Sequence, residues 1–123
     1  MMTPSLEDYL KTINVLSDKG IVRVTDIALH LGVSKPSVVI ALKKLENNGA
    51  VKHERYRYIS LTQEGRHQAN NIRARNSLLI FFLQNTLGVS SGTAEKEACK
   101  LEHILSDETF KKLRILIKDF REM

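Results

Sequence analysis

Three residues near the end of the chain carry the side chains best suited to chemistry: Cys99, Glu102 and His103. Their spacing is i, i+3 and i+4, so on a helix all three project from one face. A thiolate, a carboxylate and an imidazole are ligands for a divalent transition metal, with one or two positions left for other groups. The chain has one cysteine, and no second cysteine or histidine pair completes a closed structural zinc site. The spacing therefore indicates an open metal site.

The same residues allow two other interpretations. Beside Ala98 and Leu101, Cys99 is also typical of a core cysteine, and an adjacent Glu–His pair is typical of a solvated surface. Cys99 and His103 can also touch as a nucleophile and its base. No oxyanion-hole signature or glycine-rich loop accompanies them, so the sequence does not favour an enzyme.

Positive charge is concentrated in the middle of the chain. The net charge is +5, from 19 basic and 14 acidic residues, and residues 35–75 alone hold nine basic and three acidic ones. Residues 76–123 are neutral overall. A basic segment inside a folded chain favours a nucleic-acid partner, although a solvated basic surface has the same composition.

Helical periodicity and capping residues predict three helices before residue 50. The first opens at Thr3-Pro4-Ser5, and the second is short and can be capped by Thr25. The third opens at Ser34, with Pro36 in its first turn, and stops at Gly49. The apolar residues of this third helix predict its buried face: Val38, Ala41, Leu42 and Leu45.

After Gly49 the periodicity changes from helical to extended. Residues 51–54 and 58–61 predict a small hairpin, joined by Arg55-Tyr56-Arg57. Helix, turn, helix and hairpin in this order are typical of a winged helix-turn-helix, whose second helix of the pair enters the major groove of DNA. The third helix and the hairpin tip supply the candidate DNA contacts: Lys35, Pro36, Ser37, Ile40, Lys43, Lys44, Arg55 and Arg57.

These residue types contact DNA in different ways. Lysines neutralise phosphates, Ser37 can hydrogen-bond a base edge or a phosphate, and Ile40 can touch a thymine methyl group. Because the face carries neither Gln nor Arg, a dimeric interaction module that no longer reads DNA stays open as an alternative.

A long helix then leads to a second module. Thr62 can cap it and Gly88 ends it, so it spans about 39 Å and is too long to pack fully on the first module. Two more helices follow, one from Ser90 or Ser91 to Leu105 and one from Ser106 onward. So short a helical module can hardly bury its own apolar faces, and pairing with a second copy is expected.

The predicted fold is therefore mainly α, with two domains. A winged helix-turn-helix DNA-binding domain covers residues 1–75, including the start of the long helix. A helical dimerisation and metal-binding domain covers residues 76–123.

Composition excludes several classes of protein. At 14.0 kDa a large two-domain enzyme is excluded, and the single cysteine excludes a disulfide framework and fits a reducing cytoplasm. The longest apolar run, residues 78–83, is far short of the roughly 18 residues of a membrane span. No secretion signal is visible at the N-terminus. We expect a cytoplasmic protein with no membrane partner and no small organic substrate.

Several stretches resemble the DtxR/MntR family of metal-dependent bacterial transcriptional repressors, in the short form without an SH3-like domain. The resemblance covers essentially the whole chain and is most specific over residues 97–108, Glu-Ala-Cys-Lys-Leu-Glu-His-Ile-Leu-Ser-Asp-Glu, which are similar to the family's metal-binding helix. The other matching stretches are the opening helix (3–10), the helix-turn-helix (24–28, 33–38 and 42–45), and the wing with the start of the linker helix (55–65).

The resemblance implies an iron- or manganese-type repressor that binds an inverted-repeat operator as a homodimer. It implies one divalent transition metal per subunit (Fe²⁺, Mn²⁺, Co²⁺ or Zn²⁺), which fixes the spacing of the two recognition helices. Carried over position by position, the ligands are Asp8, Cys99, Glu102 and His103. Cysteine at position 99 follows the iron branch and aspartate at position 8 the manganese branch. A soft thiolate favours iron, cobalt or zinc over manganese alone.

Two positions depart from the family pattern. Lys11 lies one turn after Asp8, where the manganese branch has a glutamate ligand, and its cation would repel a second metal. Asn76 stands on the linker helix where the family has a histidine ligand, and its oxygen is a poor ligand for soft divalent metals. A two-metal site is not expected. The alternative is a metal-blind dimer of the same fold, in which Lys11 pairs with Glu102 or Asp8.

Overall fold

The computed structural model describes residues 4–122 except for 55–57, with side chains described as far as residue 118. The chain forms two compact units, Met1–Asn71 and Ile72–Met123. This division lies about one helical turn before the boundary predicted at residue 75. The mainly α fold class is confirmed, with six helices and one two-stranded sheet among the described residues.

The first unit has the order of elements predicted for a winged helix-turn-helix. The two strands pair antiparallel, with Val51 opposite Leu61, and Val22 adds a single bridge to Ile59. The elements are α1 (Leu6–Ser17), α2 (Val24–Leu31), α3 (Lys35–Asn47), β1 (Val51–His53), β2 (Ile59–Leu61) and the beginning of α4 (Gln63–Phe81).

The capping residues of α3 are the ones predicted. The Ser34 hydroxyl accepts the Ser37 backbone N–H at 3.2 Å, and Pro36 lies in the first turn. Gly49 follows the helix with a φ of +77°, a left-handed conformation that a side chain would strain. All four residues of the predicted inner face are buried, which confirms that side of the helix.

The predicted cap of α2 is wrong by two residues. Arg23 occupies the N-cap position, and the carboxylate of Asp26 accepts the Arg23 backbone N–H at 2.9 Å. An acidic residue three positions into the helix can satisfy the cap backbone from inside. Thr25 therefore lies within the first turn and does not cap the helix.

Helix α4 begins against the turn that follows α3. The Thr62 hydroxyl donates to the Gly49 carbonyl at 2.6 Å and accepts the Gly65 backbone N–H at 3.0 Å, so it caps the helix as predicted. At the other end α4 continues into a π-helical turn, Phe82–Thr86, before Gly88 with a φ of +74°. The predicted end at Gly88 is thus confirmed, with a wider last turn than an α-helix has.

The second unit is helical throughout its described residues. It contains the end of α4 with its π-helical turn, α5 (Ser91–Leu101) and α6 (Asp107–Glu122). Helix α5 ends four residues before the predicted Leu105, because the His103 and Ile104 N–H groups bond to carbonyls only three residues back. Small residues on α5 let the helices approach closely around a core of Leu79, Leu83, Ala94, Ala98 and Phe110.

Within the described residues, no single helix has both the length and the apolar composition of a membrane span. Among the described helices, α2 and α3 have that length and composition when taken together, but the chain bends by 110° between them.

Candidate nucleic-acid interface and metal-binding residues

Helix α3 presents its outer face to solvent, as the sequence predicts. The inner face of α3 is buried in the core, and the opposite face carries three lysines and several apolar side chains. The lysines lie near both ends of the helix, where they can reach phosphates on either side of a groove. Six predicted contact residues are exposed here: Lys35, Pro36, Ser37, Ile40, Lys43 and Lys44.

The outer face of α3 also contains a residue that the sequence reasoning did not single out. Val39 is 47% exposed, next to Ile40 at 59%. Pro36, Val39 and Ile40 have the spacing i, i+3 and i+4, so they share one face of the helix. Val39 could have been identified from the sequence, because it lies outside the predicted buried face of α3.

The one hydroxyl predicted to contact bases is held by the helix cap. Ser37 Oγ lies 2.9 Å from Ser34 Oγ, and the Ser37 N–H donates to the same Ser34 oxygen. Each of these bonds stays within the first turn of α3. The Ser37 side chain is thus turned toward the cap.

The hairpin follows α3 directly and is bonded to it. The His53 N–H donates to a carboxylate oxygen of Glu46 on α3 at 3.3 Å, and the Glu54 N–H donates to the Tyr58 carbonyl at 2.8 Å. The Arg23 guanidinium lies 5.5 Å from the centre of the Tyr58 ring, which adds a cation at the base of the hairpin. The predicted contacts Arg55 and Arg57, with Tyr56 between them, lie outside the described residues.

Asp8, the predicted metal ligand of the first unit, takes part in the cap of α1. One carboxylate oxygen accepts the Ser5 N–H at 2.9 Å, while the Ser5 hydroxyl accepts the Asp8 N–H at 3.2 Å. This reciprocal pair orients the Asp8 side chain at the helix start. The next residue, Tyr9, points into the core, and burial raises the pKa of its phenol.

In the second unit the structure pairs Glu102 with His103. Glu102 is 1% exposed and follows α5 as its C-cap, and its Oε1 lies 3.3 Å from Nε2 of His103. A carboxylate is rarely buried to this degree, because it loses its hydration unless cations or hydrogen-bond donors replace it. A carboxylate and a neutral imidazole both ligate divalent transition metals, so this buried pair fits such an ion.

Cys99 has different surroundings from Glu102, although it lies in α5, the helix that Glu102 caps. Its side chain is exposed, and the Asn76 amide nitrogen lies 3.9 Å from its sulfur. Asn76, the position where the sequence departs from the family pattern, therefore contacts a predicted ligand directly. Nothing in the local sequence indicates this contact, because the two residues are 23 positions apart.

Arg75 joins the second half of α4 to the start of α6. Its guanidinium donates to the Asp107 carboxylate at 2.6 Å and lies 5.0 Å from the centre of the Phe110 ring. From the sequence alone, Arg75 is only one of the nine basic residues in the segment 35–75. Its contacts here hold two helices of the second unit together.

Family models match both parts of the chain. The model described as "Iron dependent repressor, N-terminal DNA binding domain" matches residues 1–59. The model described as "Iron dependent repressor, metal binding and dimerisation domain" matches residues 62–123.

Two curated relatives are similar over nearly the whole chain. An uncharacterized HTH-type transcriptional regulator of Methanocaldococcus jannaschii is 36% identical, over 98% of this chain and 98% of its own length. The HTH-type transcriptional regulator MntR of Geobacillus kaustophilus is also 36% identical, over 99% of this chain and 86% of its own.

Solved structures with the same fold are regulators as well. The manganese regulator SloR has a TM-score of 0.83 at 32% identity, over 95% of this chain and 55% of that one. A manganese-dependent transcriptional repressor in complex with manganese has a TM-score of 0.84 at 30% identity, over 93% of this chain and 53% of that one. The chain thus spans about half the length of these solved relatives.

Proposed function

Because this chain belongs to the iron-dependent repressor family, we propose that it is a metal-responsive transcriptional repressor that binds operator DNA as a homodimer. The observation that supports this most directly is the pair of family matches, one to each unit. The exposed lysines of α3 in the first unit and the buried carboxylate of Glu102 in the second fit the two activities. We place the protein in the cytoplasm, as a regulator and not an enzyme.

The first unit supplies the DNA contacts in this proposal. Helix α3 enters the major groove, and Lys35, Lys43 and Lys44 neutralise phosphates on either side. Arg55 and Arg57 are proposed to reach the backbone or the minor groove from the hairpin tip. The operator is an inverted repeat because each subunit of a two-fold dimer reads one half-site.

The second unit supplies the dimer contacts. Four large apolar side chains are more than half exposed there, which is costly unless a partner covers them. A second copy of the unit is the proposed partner, and the neutral net charge of residues 76–123 avoids repulsion between copies. The exposed residues are Leu87, Ile104, Ile115 and Leu116.

We propose that one divalent transition metal (Fe²⁺, Mn²⁺, Co²⁺ or Zn²⁺) binds each subunit through Asp8, Cys99, Glu102 and His103. The bound ion supplies positive charge that holds ligands from separate helices in one arrangement. Contacts within the chain orient three of these ligands: the Ser5 N–H donates to the Asp8 carboxylate, and Glu102 Oε1 lies 3.3 Å from Nε2 of His103.

DNA binding is expected to depend on metal. A duplex selected from a randomised pool by the metal-loaded protein should bind about tenfold or more tightly with Fe²⁺, Mn²⁺, Co²⁺ or Zn²⁺ than with a chelator, the usual range of coupling between two ligands. Fluorescence anisotropy at several salt concentrations measures both the affinity and its salt dependence. As a control, Lys43→Ala should weaken binding to all duplexes evenly and reduce the salt slope by about one.

A metal-blind regulator of the same fold is the second candidate, and the contact between Asn76 and Cys99 favours it. In that case the duplex binds equally well with chelator, and the Cys99→Ala/His103→Ala double variant behaves like the wild type. If no duplex binds with a salt-dependent affinity, the proposed function is wrong in both forms.

A further inference from the structure

The first unit carries two exposed apolar side chains that line one groove. Ile21, between α1 and α2, is 64% exposed, and Leu29 on α2 is 78% exposed. The residues beside them in sequence, Val22 and Ala28, are buried in the core, so the chain turns Ile21 and Leu29 outward. The groove has a volume of about 420 Å³ and is lined by Leu16, Lys19, Ile21, Asp26, Leu29 and His30.

The proposed function leaves these two side chains without a role. Nine large apolar side chains are exposed in the described part of the chain. Val39 and Ile40 lie on the outer face of α3, Tyr58 lies at the base of the hairpin, and four others form the proposed dimer surface. Ile21 and Leu29 remain. Single exposed apolar residues are ordinary, but two that line one groove form a patch of the kind that binds another molecule.

The charges around this groove favour a second copy of the chain as its occupant. Aliphatic side chains gain nothing from phosphates, so the DNA backbone is not suited to the patch. The groove presents both the Lys19 ammonium and the Asp26 carboxylate, and Lys19 forms no ion pair among the described residues. In a two-fold contact each surface meets its own copy. Lys19 of one copy can then pair with Asp26 of the other around an apolar centre.

We propose that this groove is a second self-association surface, through which the first units of two dimers contact each other on neighbouring operator sites. The inference rests on the proposed function and adds a partner for a face that it does not use. Two large side chains per copy bury much less than the roughly 800 Å² per partner of a standard interface, so the contact is weak between free dimers. DNA that holds two dimers side by side raises their effective concentration, and binding becomes cooperative.

Duplexes with one site and with two sites test this cooperativity. Each site is a sequence selected by the metal-loaded protein, and gel electrophoresis separates duplexes that hold one dimer from those that hold two. At the favourable spacing the second dimer should bind about tenfold more tightly than a dimer on the single-site duplex, within the usual range of coupling. About five added base pairs, half a helical turn, place the dimers on opposite sides of the duplex and should remove the coupling.

Leu29→Ser and Lys19→Glu test the groove itself. Serine removes the apolar side chain, and glutamate places a like charge opposite Asp26 of the other copy. Both positions are exposed, so the variants keep the fold, and binding to the single-site duplex checks this directly. Each should reduce the coupling from about tenfold to less than twofold. The coupling is a ratio of two affinities of one variant, so a general effect of charge on DNA binding cancels. Ala74→Ser, an exposed change on α4, should keep the coupling.

Two results overturn the inference. If the second dimer of the wild type binds no more tightly than the first at every spacing across one helical turn, copies do not meet through this groove. If both variants keep the wild-type coupling, it is transmitted through the DNA and not through the groove. Both results leave the proposed function intact, whereas a chain that binds no duplex at all removes the proposed function and this inference together.

Discussion

Glu102→Gln is expected to remove most of the metal-dependent stability of the protein. At a metal concentration one hundred times the wild-type Kd, bound metal adds about 2.7 kcal/mol to the free energy of unfolding. Loss of outer partners of a ligand already weakens metal binding 10- to 100-fold, so loss of the ligand charge itself should weaken it by about a hundredfold. At the same metal concentration the variant then gains only about 0.4 kcal/mol.

The difference between two unfolding free energies, with and without metal, is the quantity to measure. Glutamine has almost the shape of glutamate, so the buried site keeps its volume, and any change in the metal-free stability cancels in the difference. Urea unfolding in chelator and in excess Mn²⁺, Co²⁺ or Zn²⁺ gives both values. Glu97→Gln is the matched control, because Glu97 is exposed on α5, the helix that Glu102 caps, and it should keep the full increment.

Equal increments in Glu102→Gln and in the wild type would show that Glu102 is not a ligand. An absent increment in all three proteins would instead favour the metal-blind regulator. The experiment therefore separates an error in the ligand set from an error in the class of regulator.

The first unit could be predicted well because its signals are local. The cap of α3 depends on Ser34 and Pro36, and its end depends on Gly49, all within a few residues of the helix they define. The two strands of the hairpin are indicated by the change from helical to extended periodicity directly after Gly49. Where two local signals compete, as Thr25 and Asp26 do at the start of α2, the sequence does not decide which one satisfies the backbone.

The second unit was less predictable because its contacts join distant residues. The spacing of Leu101 and Leu105 suits both an α-helix and a tighter turn, so the pattern does not fix the last residue of α5. Arg75 and Asp107 are 32 residues apart, and Asn76 and Cys99 are 23 apart. The spacing of residues along the chain does not indicate either pair. The i, i+3 spacing of Cys99 and Glu102 also does not indicate that Glu102 is buried and Cys99 exposed.

Gly65→Ala is expected to destabilise the first unit strongly. A Cβ atom at this position would overlap the carbonyl oxygen of Ala50 and lie 2.7 Å from the carbonyl carbon. Both atoms belong to the backbone, so the start of α4 must move away from the turn after α3. That movement breaks the bonds from Thr62 to Gly49 and Ala50, at 2.6 and 3.1 Å. We expect a loss of about 1–3 kcal/mol, the usual cost of overpacking, toward the upper end.

Gly92→Ala is the matched control and should change stability in the opposite direction. Gly92 lies in α5, and a Cβ atom there has no neighbour within 4 Å among the atoms of the described chain. Alanine loses less conformational freedom than glycine on folding, which favours it by about 0.5–1 kcal/mol in the middle of a helix and by about 0.5 kcal/mol or less in the first turn, where Gly92 lies. Urea unfolding of the two variants should thus move the midpoint in opposite directions. A Gly65→Ala protein as stable as the wild type would show that α4 does not approach the Ala50 backbone in solution, since no side-chain rearrangement can relieve a contact between backbone atoms.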